Sequence, residues 1–472
     1  MKYILRLPFI LSLIFFASYG FAQSAHSNDQ AFIKVRKFFN DRQADSVYNM
    51  TGESFRTHVR RDMFVNIAET KLFPLGKIQE VEFLSYKSGI SNYKVTYPSI
   101  MLEMIIGVDK EDKIEALAFK QYVKAVADKN YFVPSSNPRQ TELDKRIDSV
   151  ARQYINKINT VGLSIGILKD GRITTYGYGE TAKDNKQLPT AKTIFEIGSI
   201  TKTFTATLLA WYVNEKKLSL SDPITKYLPD SVAANPAIQS ITVQMLSNHT
   251  SGLPGLPDNL VLNGPDSLNP YKYYSKNLMY SWLKACTPQS KPGETYAYSN
   301  LAVALLGNIL EDVTHKSYEQ MVREIICKPL NMQNTVQDLT AAQKKDFIHV
   351  YNEEGSNTPA WDFVAFAPAG ALHSTVSDLL LYAQAGMKNG NDKLSKAMSL
   401  THKLTYDKTP KVALGWHIME TANQPIYWHN GGTYGSGSYL AFQPSKQIAV
   451  VVLSNSAESV DPIALSILRI LQ

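Results

Sequence analysis

The sequence predicts an α+β chain in two parts: a small domain of helices followed by antiparallel strands, and a larger domain whose sheet is drawn from both of its ends. Three features carry this reading. Strand-like segments at 78–86, 93–96, 100–108 and 113–119 follow a helical stretch at 28–70. A polar, turn-rich connection comes next, containing Pro134, Ser135, Ser136, Asn137 and Pro138. Beyond it, strand signals cluster at 161–178 and again at 412–454, with helical and loop-rich sequence at 199–374 between them. The expected organisation is a small α+β domain at 28–128, a linker at 129–140 and a larger domain at 141–472.

At the start of the chain, Lys2 and Arg6 precede an apolar run at 7–16, and Gly20 and Ala22 flank Phe21. That order is the order of a secretory signal peptide cut before Gln23, so residues 1–22 are expected to be removed and the mature chain to be periplasmic or secreted. The apolar run after Arg6 is shorter than the roughly 20 apolar residues a spanning helix needs. No cysteine follows it to take a lipid, and no stable membrane span is expected elsewhere.

In the small domain, β-branched and aromatic residues mark the strands, and Gly89, Pro98 and the charged turn at 109–112 divide them. In the larger domain, 141–156 fits an amphipathic helix. Strands at 161–168 and 172–178 are joined by Lys169-Asp170-Gly171, a hairpin signal. Strands at 412–419, 426–429, 438–442 and 448–454 precede a final apolar helix at 462–471.

Composition narrows the function classes. A chain of 472 residues with 44% hydrophobic content is long enough for two cores and is not disordered. The formal charge is +7, and loss of the two cations Lys2 and Arg6 leaves +5. This charge is dispersed, with no basic block interleaved with aromatics, so nucleic-acid binding is not expected. The two cysteines, Cys286 and Cys327, would meet an oxidising compartment after export; a disulfide and two isolated buried thiols are both open. No CxxC occurs and none of the nine histidines forms an HExxH pair, so neither a metal nor a cofactor is expected.

Three short motifs remain. Ser199-Ile200-Thr201-Lys202 sits where Glu196-Ile197-Gly198 gives way to an apolar helix. A serine there can be an ordinary N-cap, or a nucleophile near the positive end of the helix dipole. Lys202, one turn on and on the same face, can reach its oxygen. An unperturbed lysine, with a pKa of about 10.4, is a poor base at neutral pH, so burial or nearby cations must lower it. The same tetrad pattern occurs at Ser91–Lys94 in a strand-rich segment and at Ser281–Lys284 inside a helix, but neither has the glycine-led helix start.

The second motif is Tyr298-Ser299-Asn300, after the turn Lys291-Pro292-Gly293. A phenol near a lysine ammonium can lose its proton more easily and serve as general base, and an asparagine amide can hold a substrate carbonyl; the plain alternative is a helix cap. The spacing also recurs at Tyr154 and Tyr212, inside expected helices. The third is His429-Asn430-Gly431-Gly432, at the end of an apolar strand, where glycines permit close approach and a backbone N–H can donate to an oxyanion.

Together with Leu246-Ser247-Asn248-His249-Thr250-Ser251-Gly252-Leu253-Pro254, these motifs resemble the serine β-lactamase and penicillin-binding family, in its class C and esterase-like branch, over about residues 141–472. The stretch 369–375 and Gly415-Trp416 look like further landmarks with structural roles. The resemblance implies a β-lactamase/transpeptidase-like fold, an antiparallel sheet with a helical subdomain. It implies Ser199 as the acylated nucleophile, Lys202 as its activating amine and Tyr298 as proton shuttle. Asn300 would position the substrate, His429 and Gly431 would flank the scissile bond, and the amides of Ser199 and Gly432 would form the oxyanion hole. Class C members usually carry lysine, threonine and glycine where this chain has His429, Asn430 and Gly431. A mostly neutral imidazole attracts a substrate carboxylate less than an ammonium does, so the expected substrate order is a cell-wall or other small peptide, then an ester, then a β-lactam. The alternative from another class is a penicillin- or peptide-binding sensor with slow or no deacylation. The segment 28–128 distantly resembles small cone-shaped accessory domains of exported hydrolases.

Overall fold

The computed structural model of the chain describes residues 25–87, 89–122, 127–260, 266–421 and 424–472. The expected signal peptide, residues 1–22, lies outside the described residues. The chain divides into two compact units, Met1–Ala125 and Val126–Gln472.

The first unit opens with helices α1 (Ala25–Asn40), α2 (Ala44–Asn49), α3 (Glu53–His58) and α4 (Arg61–Ile67). An antiparallel sheet follows, β1 (Glu80–Lys87), β2 (Ile90–Thr96), β3 (Met101–Val108) and β4 (Ile114–Gln121), its strands lying side by side in chain order. Phe32, Val35 and Phe39 recur at helical spacing on α1 and bury that face. Phe32 stacks on Tyr93 of β2 with ring centroids 3.9 Å apart. Strand periodicity also separates the first decoy tetrad: Ser91 is buried and bonded by Asn28, while Lys94 lies on the opposite face and pairs with Glu82.

In the second unit the elements run α5 (Glu142–Ile155), β5 (Gly162–Lys169), β6 (Arg172–Gly179), β7 (Phe195–Glu196), α6 (Thr201–Asn214), α7 (Asp230–Ala233), α8 (Val243–Ser247), α9 (Lys276–Leu283), α10 (Asn300–Thr314), α11 (Tyr318–Met321), α12 (Ala367–Gly370), β8 (His373–Ser374), α13 (Val376–Gly386), α14 (Lys393–Thr401), β9 (His417–Glu420), β10 (Pro425–Gly432), β11 (Gly437–Gln443), β12 (Ile448–Ser454) and α15 (Asp461–Leu471). Six strands form one antiparallel sheet in the order β6-β5-β12-β11-β10-β9. Both chain ends of the unit therefore meet at the centre, where β12 pairs with β5. β12 is a continuous apolar run because both of its faces are buried: Val450 and Val452 join the core under α5 and α15, while Ala449, Val451 and Leu453 join the core under α6 and α13. This is a mixed α/β fold with an antiparallel sheet and a helical subdomain.

Three local expectations are modified. The turn-rich segment 129–140 is bonded along the free edge of β6: Ser136 N–H donates to Gly177 O and Gly179 N–H to Pro134 O, both at 2.9 Å, and the Asn137 amide reaches the Tyr178 hydroxyl at 2.8 Å. The strand expected from 412 begins only at His417. Residues 413–416 form a turn in which Gly415 takes φ +68° and sits so close to α6 that a Cβ there would lie 2.8 Å from Lys202 O. Conversely, β10 continues through Gly432, so His429 is in mid-strand. Cys286 and Cys327 are buried free thiols, and burial pushes their pKa values up to about 11 and about 12. Among the described residues no helix is long and apolar enough to cross a membrane.

Candidate active site

β7 pairs with β8, and the chain then turns through one 3-10 turn, Gly198–Ile200, into α6. Ser199 occupies that turn at the head of a helix buried nearly all round. Threonine hydroxyls hold α6 in place: Thr205 donates to Pro368 O at 2.6 Å, Thr201 accepts from Leu372 N–H at 3.1 Å, and Thr207 bonds the Tyr382 hydroxyl at 2.8 Å.

Lys202 is 1% exposed. Its Nζ lies 2.8 Å from Ser199 Oγ and 2.7 Å from the carbonyl oxygen of Ala369 on α12. Burial holds the ammonium well below its usual pKa, with no carboxylate to offset the loss of water. The Tyr298 ring lies 5.0 Å from Lys202 Nζ. Burial raises the Tyr298 phenol, so it keeps its proton. Proximity to the lysine ammonium was expected to help the phenol lose its proton; desolvation outweighs that effect.

Ser199, Lys202 and Tyr298 are thus brought together. Ser299, not Tyr298, caps α10, its hydroxyl accepting from Ala302 N–H at 2.9 Å. Asn300 shares one pocket with Tyr271, Ser199 and Gly432.

The backbone of β10 crosses the Ser199 turn in contact. Gly198 takes φ +48°, and a Cβ on it would lie 2.7 Å from Gly432 N. A Cβ on Gly431 would lie 2.2 Å from Ile197 O and 2.8 Å from Ser199 N. Gly431 therefore makes room for the serine turn, whereas glycine here was expected to admit substrate; Gly432 is the exposed member that lines the pocket. Asn430 donates to Asp461 at 2.7 Å.

His429 is buried behind Tyr298 in a ring cluster that sequence reasoning did not assemble. Ring centroids separate His429 from His417 by 5.2 Å and from Tyr298 by 6.2 Å, and His249 from Tyr298 by 4.4 Å. His249 Nδ1 accepts from Ser299 N–H at 3.1 Å, which places its proton on Nε2. Burial and the nearby Lys202 lower all three imidazoles, His417 to about 4 and the other two well below their ordinary value. Burial thus disfavours the charged forms of the amine, the phenol and the imidazoles alike. Among the described residues no group of three or more His, Cys, Asp or Glu is arranged to hold a metal ion.

Glu196, three residues before Ser199, is also buried. It accepts from Trp361 N–H at 2.8 Å, from the Thr433 hydroxyl at 2.8 Å and from the Ser436 hydroxyl at 3.1 Å. Its sequence signal was a lone acid inside the apolar run Ile194-Phe195-Glu196-Ile197.

Comparison with known proteins agrees with this arrangement. A family model described as Beta-lactamase matches residues 147–471. A beta-lactamase of Pseudomonas fluorescens is 26% identical over 349 residues, spanning 67% of this chain and 94% of that one. A solved class C beta-lactamase superposes with a TM-score of 0.63 at 25% identity, covering 71% of this chain and 98% of its own. A beta-lactamase/D-alanine carboxypeptidase from Pseudomonas syringae shares the fold, with a TM-score of 0.62 at 24% identity over 70% of this chain and 99% of its own. With the family match spanning most of the second unit and the serine, lysine and tyrosine converging in it, the chain belongs to the beta-lactamase family and is a serine hydrolase of the class C type.

Proposed function

We propose that the chain hydrolyses an amide or ester through an acyl-enzyme at Ser199. The observation that carries this is the convergence at Ser199 of the buried Lys202 amine, 2.8 Å from Oγ, and of Tyr298, whose ring lies 5.0 Å from the same amine. A neutral amine has a lone pair for the seryl proton and an N–H for Ala369 O. As Oγ adds to the carbonyl carbon, the seryl proton moves to Lys202 and the negative charge grows on the carbonyl oxygen. The N–H groups of Ser199 and Gly432 are the donors for that oxygen, a contribution of about 3 kcal/mol for one such donor. Tyr298 gives its proton to the leaving group and regains one from Lys202. Water then attacks the ester along the reverse path, releasing the acid and restoring Ser199.

Asn300 holds the substrate, and His429 with Gly431 forms the strand beside the scissile bond. Because burial keeps His429 neutral, it offers a substrate carboxylate no permanent charge, and β-lactams rank behind other amides and esters. Export is part of the same proposal, on the strength of the Lys2 and Arg6 start and the apolar run behind it; N-terminal sequencing of the mature protein should begin at Gln23.

The test is intact mass after brief exposure to p-nitrophenyl acetate and, separately, to a penicillin, with Ser199→Ala as control. A Ser199-dependent adduct that decays with product release is expected. Full activity in Ser199→Ala would overturn the mechanism, and an adduct that never decays would overturn hydrolysis in favour of a sensor.

A further inference from the structure

Resting on the acyl-enzyme reading, we propose that the enzyme is selective for a short acyl group, and that an aromatic wall led by Trp361 sets the limit. Ser199 divides the site into two sides. On one stand Tyr298 and the three histidines, and since Tyr298 donates to the leaving group, the leaving group departs on that side. The retained acyl group must occupy the other side, the pocket lined by Ser199, Gly432 and Asn300 on its polar edge and by Tyr271, Trp361 and Phe363 on its apolar edge.

That pocket is narrow. Its free volume is about 30 Å³, room for about two or three water-sized groups. That space suits an acetyl or propionyl group, and a longer chain would have to extend beyond it.

The wall is built rather than incidental. Tyr271 stacks on Phe363 at 5.2 Å between centroids and meets Trp361 edge-on at 5.4 Å, and Trp361 meets Tyr434 edge-on at 4.6 Å. Trp361 is fixed at both ends of its residue: its backbone N–H donates to Glu196 at 2.8 Å and its indole N–H to Leu268 O at 2.9 Å. Behind Phe363, a Cβ on Gly370 would lie 2.4 Å from the ring, so the floor is closed as well. These aromatics come from segments whose sequence carries no motif, and they limit the group on the carbonyl side of the scissile bond. In the reaction the Oγ–carbonyl bond forms, the bond from carbonyl carbon to leaving group breaks, and the seryl proton departs with the leaving group; water then releases the short carboxylic acid. This selectivity places short-acyl esters and N-acyl amides ahead of extended peptides, whereas the sequence put a small peptide ahead of an ester.

The experiment compares kcat/KM for p-nitrophenyl acetate, butyrate and octanoate, each at matched pH, in the wild type, Trp361→Ala and Tyr434→Ala. We expect the wild type to lose at least tenfold from acetate to octanoate. Trp361→Ala should raise the octanoate-to-acetate ratio about tenfold, and Tyr434→Ala, which loosens Trp361 without lining the pocket, should raise it less. A wild-type profile flat or rising with chain length overturns the proposal even if neither variant folds. So does an unchanged ratio in a folded Trp361→Ala. Failure of the underlying reading is seen separately, as absence of any Ser199-bound acetyl group by mass.

Discussion

Lys202 Nζ donates to the carbonyl oxygen of Ala369 at 2.7 Å, and the same nitrogen lies 2.8 Å from Ser199 Oγ. The carbonyl fixes the direction of one N–H, and loss of a proton from the ammonium gives the nitrogen a lone pair that can turn to the serine. Arginine in this place cannot give up its proton. Lys202→Arg should therefore lose about 10²–10⁴ in kcat, the span of general base catalysis, with the fold retained by circular dichroism. Since burial lowers the lysine, kcat/KM should already be at its plateau at neutral pH and fall on acidification as the amine takes a proton. A profile that rises only near the ordinary lysine value of about 10.4 would show the amine to be unperturbed.

Tyr298→Phe removes the hydroxyl but keeps the ring beside His249 and Lys202. Its effect should depend on the leaving group. Nitrophenol leaves without a proton and an amine does not, so the loss in kcat should be about 10² or more on an anilide and clearly smaller on a nitrophenyl ester. Equal losses on both substrates would place the role of Tyr298 elsewhere.

Two neighbouring glycines should behave differently when changed to alanine. At Gly431 a Cβ would strike Ile197 O at 2.2 Å, so Gly431→Ala should cost about 1–3 kcal/mol in urea unfolding and shift the Ser199 turn, abolishing acylation. At Gly432 the nearest atom is Ser436 O at 3.5 Å, an ordinary contact, and Gly432→Ala should unfold at nearly the wild-type urea concentration.

Glu196→Ala strands three donors, the Trp361 N–H and the Thr433 and Ser436 hydroxyls, and should cost about 1–3 kcal/mol. Because the same carboxylate ties the β10–β11 turn and the Trp361 segment to the strand before Ser199, kcat should fall along with stability. Glu196→Gln retains an accepting oxygen and should recover part of both; acylation rates and urea midpoints of the two variants check this.

Acid should weaken the fold through histidines that are buried uncharged. His402, packed against Tyr427 and Phe442, and His417 are both lowered to about 4 by burial. The unfolded chain binds protons at these positions below about pH 6.5 and the folded chain does not, so stability is full above that pH and is lost as pH falls toward 4. Each should contribute on the order of 1–2 kcal/mol of loss by pH 5. Urea midpoints at pH 7 and pH 5 measure it, and His402→Phe should reduce the difference between them.

Ser199 and Lys202 could be paired from sequence because a helix places residues three apart on one face whatever surrounds it, and the same backbone periodicity marked the strands and excluded Ser91–Lys94. The order of the serine–lysine, tyrosine–asparagine and histidine–glycine motifs pointed to the family for the same local reason. Tertiary packing alone decided the rest. The partner of the Lys202 amine is Ala369 O, a backbone atom 167 residues away that no side-chain pattern encodes. His249, His417 and His429 become one uncharged cluster only when α6, β9 and β10 exclude water around them, and desolvation by distant elements has no sequence period. The acyl-side wall joins Tyr271, Trp361 and Tyr434 from three separate loops, and Gly431 leaves room for the Ser199 turn that passes against it.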